Sequence, residues 1–313
     1  MVGIEDPMAE IVASDVSMRP VVKLLRQVAP TEVNVLIRGE SGTGKDLLAN
    51  VLHRLSNRRH GPYVKIDCAG IPMHLLESEL FGYEKGAFTD AGNGKPGRFE
   101  LAEGGSLILD EISQLSLSAQ AKLLTAIEEK KFQRLSGTKE LSIDARLIVL
   151  TNVDLEAAVA SKLFRSDLFY RLNVVTIILP PLRERKQDIA RLARRLLKQL
   201  AERHGKKVRK LAPMALQVLT DYEFPGNIRE LRNIIERAVI ETNSEEIALE
   251  LLPRQLWSRH STRLAAKSTL AEVEQGYIEE VLWYTNGHKS RAAEILGIHR
   301  KTLLEKRKLY GIK

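Results

Sequence analysis

Two short stretches of this 313-residue chain have the residue types and spacing for phosphate chemistry. In Gly39-Glu40-Ser41-Gly42-Thr43-Gly44-Lys45, glycines alternate with small or polar residues and the run ends on a lysine. Set between a strand and a helix, such a loop curls its backbone N–H groups around phosphate oxygens, and the helix N-terminus and the lysine add positive charge. Asp46 follows where a serine or threonine usually supplies a magnesium-binding hydroxyl. The second stretch, Leu107-Ile108-Leu109-Asp110-Glu111, is an apolar run closed by two acids. Asp110 is positioned to hold Mg2+, and Glu111 to polarise a water for attack on a γ-phosphate. ATP binding and hydrolysis are the chemistry this pair predicts. Further along, Arg165 and Arg171 flank a short helical segment, where guanidinium groups can reach a neighbouring subunit's γ-phosphate.

These residues need a scaffold, and the pattern supplies one. Residues 33–37, 64–66, 106–109, 145–150 and 174–179 are short Val-, Ile- and Leu-rich runs suited to strands buried on both faces. Helical patterns at 46–55, 118–129 and 155–160 alternate with them, which predicts an α/β core with a parallel sheet over 1–180. After Pro180-Pro181, residues 188–204, 213–221 and 228–242 read as consecutive helices without strands, a helical subdomain over 181–252. A polar, basic linker is expected at 253–267, and three short helices at 270–284, 290–296 and 300–308 form a small all-α domain over 268–313.

Composition narrows the class further. The chain is 44% hydrophobic and 28% charged, enough apolar material for a sizeable core. No apolar run approaches the ~18 residues that span a membrane, and the N-terminus lacks a signal-peptide core, so no membrane partner is expected. The lone Cys68 excludes an internal disulfide and suits a reducing cytoplasm. His53, His60 and His74 lack metal-ligand spacing and read as surface or packing residues, and the basic face of 191–198 reads as a solvated helix. The net charge of +8 is concentrated at the C-terminus, where eight basic residues between 286 and 313 face only Glu294 and Glu305. On a helical pattern, that asymmetry predicts nucleic-acid binding.

Residues 33–252 resemble the AAA+ domain of bacterial enhancer-binding proteins, the sigma-54-dependent transcription activators of the NtrC type. The stretches 39–46, 76–91 (L-E-S-E-L-F-G-Y-E-K-G-A-F-T-D-A), 104–111, 164–173 and 225–232 (P-G-N-I-R-E-L-R) carry the resemblance. It implies a P-loop ATPase core with a helical lid, ATP and Mg2+ as ligands, and a homo-oligomer, a hexameric ring. Gly86, Ala87, Phe88, Thr89, Asp90 and Ala91 match the loop that presses on the sigma factor, with Asp90 where the family has glycine. Thr151 and Asn152 match the first nucleotide sensor, Arg229 the second, and Arg165 and Arg171 the fingers acting in trans. Asp67 stands where the family has an asparagine that pairs with the Glu111 position, and like charges there are expected to repel unless one is protonated or a cation lies between. The run Ala102, Glu103, Gly104, Gly105, Ser106, Leu107, Ile108 and Leu109 is assigned to the nucleotide site with the acids it leads to.

The tail resembles a Fis-type helix-turn-helix. Ala292, Ala293 and Leu296 give its packing face and Gly297 its turn, with Leu303 and Leu304 expected to pack inward. Lys289, Ser290, Arg291, His299, Arg300, Lys301, Thr302 and Lys306 are left for double-stranded DNA. Residues 270–284 are expected to dimerise. The expected function is ATP-driven activation of the sigma-54 RNA polymerase holoenzyme from an enhancer-like site. The alternative is a DNA-binding regulator whose ATP site governs assembly without engaging sigma-54. Family members often carry an N-terminal sensory domain. Only a short segment precedes residue 33, so control is expected from a partner in trans or from a longer chain.

Overall fold

The computed structural model describes residues 7–87, 93–256, 269–285 and 287–312. The apolar runs form five strands: β1 (Val35–Arg38), β2 (Tyr63–Asp67), β3 (Ser106–Asp110), β4 (Arg146–Thr151) and β5 (Val175–Ile178). They pair in parallel in the order β2-β3-β4-β1-β5. Val35 lies opposite Ile148 and Val175, and Leu107 opposite Val64 and Leu147.

Successive strand residues point to opposite faces, and both faces are covered. Val35, Ile37, Ile108, Ile148 and Leu150 pack with residues of α1 (Arg19–Val28) and α2 (Lys45–Arg54). Leu36, Ile66, Leu107, Leu109, Leu147 and Val149 pack on the other face against α3 (Met73–Phe81), α4 (Leu117–Glu129), α5 (Leu155–Ala160) and α6 (Ser166–Leu172). The first strand is shifted by a residue or two from its expected bounds, as fraying ends allow. Helix α1 was not expected, though Pro20 in its first turn is a start signal. Arg146 is buried at the head of β4 and donates to the carbonyls of Val28 (2.9 Å) and Ala29 (2.8 Å), closing the C-terminus of α1.

The lid holds α7 (Lys186–Arg203), α8 (Pro213–Asp221) and α9 (Asn227–Glu241) around Leu197, Leu219, Leu231 and Ile235. The expectation of no strands here is corrected, because Lys210–Leu211 pairs in parallel with Glu246–Ile247. Two residues are too few to register as a period. The face of 191–198, expected to be solvated, binds the N-terminal segment instead. Arg195 donates to the carbonyls of Ala9 (3.0 Å) and Glu10 (2.7 Å), and Arg191 to Ser14 Oγ (3.3 Å). Asp188 accepts from the backbone of Ser14 and Asp15. Val12 then joins the lid core, while Met8 and Ile11 pack against the sheet core.

The C-terminal domain comprises α10 (Leu270–Tyr284), α11 (Lys289–Ile295) and α12 (Arg300–Leu309), centred on Ile278, Val281, Ala292, Ala293 and Leu303. Leu304, expected to face inward, is exposed. Neighbouring residues on a helix point ~100° apart, so Leu303 and Leu304 cannot share one narrow seam. Of the expected linker, Arg254–Leu256 forms a single turn, and 257–267 lies outside the described residues. Among the described residues no helix is long and apolar enough to cross a membrane.

Candidate active site

The carboxyl ends of the parallel strands share one edge, where ligands of open α/β sheets bind. There the chain leaves β1 through the glycine loop and enters α2, turning through positive φ at Gly42 (78°) and Gly44 (103°). Lys45 is only 8% exposed. Its Nζ donates to the carbonyls of Gly39 (2.8 Å) and Glu40 (3.3 Å) and lies 4.0 Å from Glu111 Oε1. Burial pulls the Lys45 pKa down, while Glu111, Asp110 and Asp46 pull it up. The loop and the acids form one wall of a 260 Å³ cleft, and Ile228, Arg229 and Arg232 of the lid line it from across. An ammonium held by carbonyls beside a left-handed glycine turn suits a phosphate.

Asp110 ends β3, and Glu111 follows with a left-handed backbone (φ 54°, ψ 51°), a strained conformation for a non-glycine residue. Its Oε2 accepts from the backbone N–H of Asn152 (3.3 Å). Thr151, buried at the end of β4, accepts from Val153 N–H (3.0 Å) and so fixes the turn that presents Asn152. Burial pushes the Glu111 carboxyl above the usual range, with smaller contributions from the Asp110 and Asp67 charges. Asp67 lies opposite Asp110 in the register. One of its oxygens accepts from Ala69 N–H (3.0 Å) and Gly70 N–H (3.3 Å), so backbone dipoles offset part of the expected repulsion.

For Mg2+ the donor chemistry fits. Asp110 Oδ2 already holds a cation, the Lys65 ammonium at 2.7 Å. Among the described residues no group of three or more His, Cys, Asp or Glu side chains converges. One carboxylate completed by substrate phosphates and water is the usual magnesium arrangement. A correction concerns the run assigned to the nucleotide with Asp110. Ala102, Gly105, Ser106, Leu107, Ile108 and Leu109 are buried in the sheet layer. Glu103 and Gly104 turn into β3 at its far end, where Gly104 N–H bonds the Asp144 carbonyl. They position Asp110 by strand pairing, and only Asp110 and Glu111 emerge at the cleft.

The lid is tied to the loop itself. Asn227 is buried with a left-handed backbone (φ 53°). Its side-chain amide donates to Glu40 Oε2 (3.1 Å) and the Ser41 carbonyl (3.0 Å), and its oxygen accepts from Leu182 N–H (2.7 Å). Ile228 N–H bonds the Gly42 carbonyl (2.9 Å), and Arg229 reaches Ser41 Oγ (2.6 Å). The approach is so close that a Cβ on Gly42 would stand 2.4 Å from the Gly226 carbonyl. Arg185 donates to the Thr43 carbonyl (2.7 Å), and Arg183 pairs with Glu40. Ile11, Val12, Leu47, Leu179 and Ile228 line a narrow apolar slot beside Thr43 and Gly44. Of these lid residues the sequence pattern assigns Arg229 alone; the Pro-Gly pair before Asn227 is the local turn signal that could have pointed to it.

Arg165 caps the approach to α6 and pairs with Asp167 (2.7 Å), while its backbone N–H is held by Gln120 Oε1 (2.8 Å). Arg171 is exposed in the last turn, and Leu163, Tyr170, Val174 and Ile178 are exposed apolar neighbours in sequence. Gly86 (φ 82°) and Ala87 form a turn, and Phe88, Thr89, Asp90 and Ala91 lie outside the described residues. The base of that turn is braced by the hairpin 131–142. Leu135 N–H bonds the Gly82 carbonyl, Glu84 N–H bonds the Leu135 carbonyl, and Arg134 forks onto Glu100 (2.6 and 2.9 Å). In the tail, Lys289, Ser290, Arg291, His299, Arg300 and Lys301 are exposed, and Thr302 is half-buried. Lys306 is engaged within the domain, its ammonium and the Tyr310 hydroxyl both bonded to Glu274.

Comparison with known proteins agrees with this geometry. The sigma-54 interaction domain matches residues 11–178, the AAA+ ATPase lid domain 183–269, and the Fis family of bacterial regulatory proteins 269–310. The regulatory protein AtoC of Escherichia coli is 43% identical over 312 residues, spanning 96% of this chain and 68% of AtoC. The transcriptional regulatory protein ZraR of Klebsiella oxytoca is 46% identical over 308 residues, spanning 96% of this chain and 70% of ZraR. The crystal structure of NtrX from Brucella abortus in complex with ATP matches with a TM-score of 0.76 at 35% identity, covering 97% of this chain and 70% of NtrX. Fold and site define an AAA+ ATPase joined to a helix-turn-helix DNA-binding domain. The chain belongs to the family of sigma-54-dependent transcription activators.

Proposed function

We propose that this chain assembles as a hexameric ring on an enhancer-like DNA site and spends ATP on remodelling the sigma-54 RNA polymerase holoenzyme. The observation that carries the reading is the tie between Asn227–Arg229 of the lid and Glu40–Gly42 of the glycine loop. Any change in what that loop holds is felt by the lid.

In this reading the triphosphate lies along Gly39–Asp46 with Lys45 beside its β- and γ-phosphates, and the base enters the slot between Val12 and Ile228. Asp110 would hold Mg2+, whose charge offsets that of the phosphates. Glu111, held by the Asn152 N–H, orients the attacking water. Loss of the γ-phosphate is read by Asn152 and Thr151 in the core and by Arg229 in the lid. A neighbouring subunit supplies Arg165 and Arg171. The segment 86–91 makes the contact with the sigma factor, through Phe88 and Thr89. Arg291, His299, Arg300, Lys301 and Thr302 face DNA, with Lys289 and Ser290 near phosphates.

The test is open-complex formation by purified sigma-54 polymerase with ATP or a non-hydrolysable analogue, for the wild type and Phe88→Ala. Open complexes are expected only with the wild type and ATP, while Phe88→Ala keeps ATPase activity and DNA binding. ATP turnover and DNA binding without open complexes would favour a regulator that does not engage sigma-54.

A further inference from the structure

Lys65 touches Asp110 in the site described above but has no role there in binding or hydrolysis. It lies on β2, one of the two edge strands of the sheet, two residues before Asp67 and so on the same face of the strand. Its ammonium stands 2.7 Å from Asp110 Oδ2 and also contacts the carboxylate of Asp46. One lysine thus joins the end of β3 to the first turn of α2, the two elements between which metal and phosphates would sit. The pair is shielded more than a surface ion pair, since the Asp110 side chain is 15% exposed and that of Lys65 34%. Without a cation between them, two carboxylates on neighbouring elements repel each other and any incoming phosphate. A lysine can meet that need and then leave, because its charge is a point at the end of a flexible four-carbon stem.

We propose that Lys65 is a built-in counter-ion of the metal–nucleotide site, neutralising Asp110 and Asp46 before Mg2+ binds and withdrawing when Mg2+ enters. The proposal rests on the reading of Asp110 as the metal ligand. Two cations that use one carboxylate oxygen compete, so Lys65 raises the Mg2+ concentration the site requires. It also lets nucleotide bind without metal, because the phosphates meet a neutralised acid pair.

The experiment titrates the full-length chain with ADP carrying a fluorescent N-methylanthraniloyl group, first in EDTA and then at rising MgCl2. Wild type is compared with Lys65→Met, Lys65→Arg and Asp110→Asn. In EDTA, Lys65→Met is expected to bind the nucleotide about two- to fivefold more weakly, and to need less MgCl2 for half-saturation by a similar factor. Lys65→Arg, which keeps the charge, is expected to stay near wild type in both. A second readout omits nucleotide: MgCl2 alone is expected to raise the melting temperature of Lys65→Met more than that of wild type. Lys65→Gln serves in the same way should the methionine variant fold poorly. If Lys65→Met and Lys65→Gln keep wild-type values while Asp110→Asn alters the MgCl2 dependence, the proposal is overturned and the metal-site reading survives. A wild-type MgCl2 dependence in Asp110→Asn overturns both.

Discussion

His53 illustrates how a single side chain is set by partners far away in sequence. Its ring is buried, with Nδ1 2.9 Å from Ser106 Oγ at the head of β3 and Tyr63 edge-on at 5.3 Å between centroids. Burial lowers its pKa from the usual 6.5, and the Arg146 charge acts in the same direction, against a bond to the Gly61 backbone. The unfolded chain therefore takes up a proton near pH 6.5 that the folded chain accepts only at lower pH. Stability from the neutral ring is present above that pH and is lost as pH falls through it toward the folded value. Urea midpoints measured between about pH 7.5 and about pH 5.5 should fall less steeply in His53→Gln than in wild type. An unchanged slope would mean that the folded protein already accepts the proton. From the sequence, His53 was readable as a surface or packing residue and not a metal ligand; that it is buried, and its partner 53 positions away, were out of reach. Cys68, the lone cysteine of the sequence, is a buried hydrophobe whose thiol is pushed up to about 12 by burial, too high to serve as a nucleophile.

Among the elements, the junction between the glycine loop and α9 matters most. Strands and helices could be read because both faces of the sheet are covered, which leaves the strands continuously apolar and the helices periodic. The junction between them left no such pattern. Asn227 works through a positive φ and three hydrogen bonds to two other elements, and none of these has a local spacing. Asn227→Ala removes all three bonds inside a closed contact and places alanine where the left-handed backbone disfavours it. The expected loss is about 2–4 kcal/mol in unfolding free energy, with weaker nucleotide binding alongside. Chemical denaturation with and without ADP measures both. Arg183→Ala, which breaks only an exposed pair with Glu40, should barely change either value. Equal losses in the two variants would show that the lid docks by general packing and not through Asn227.

At the scale of the whole molecule, the question is whether one chain holds a complete site. Lys45, Asp110, Glu111, Asn152 and Arg229 gather around one cleft or its rim through backbone, side-chain and strand contacts. Arg165 instead turns to its own Asp167, and Arg171 stands exposed at the end of α6. Exposed Leu163, Tyr170, Val174 and Ile178 nearby in sequence give that region an apolar character suited to a neighbouring subunit. Sequence spacing suggested fingers in trans, yet nothing in a single chain's pattern encodes a contact made between copies. A mixing experiment does address it. Lys45→Ala loses the phosphate contact but keeps its fingers, and Arg165→Ala with Arg171→Ala keeps the phosphate contact but loses the fingers. Each protein alone should be inactive as an ATPase. In an equimolar mixture, a head-to-tail ring places an intact loop against an intact finger at about one junction in four, so about a quarter of the wild-type rate should return. Purified proteins assayed for phosphate release across a range of mixing ratios should then give a rate that peaks near equal amounts. No recovery at any ratio would mean that the arginines serve their own subunit or none, and the ring would lose its catalytic reason.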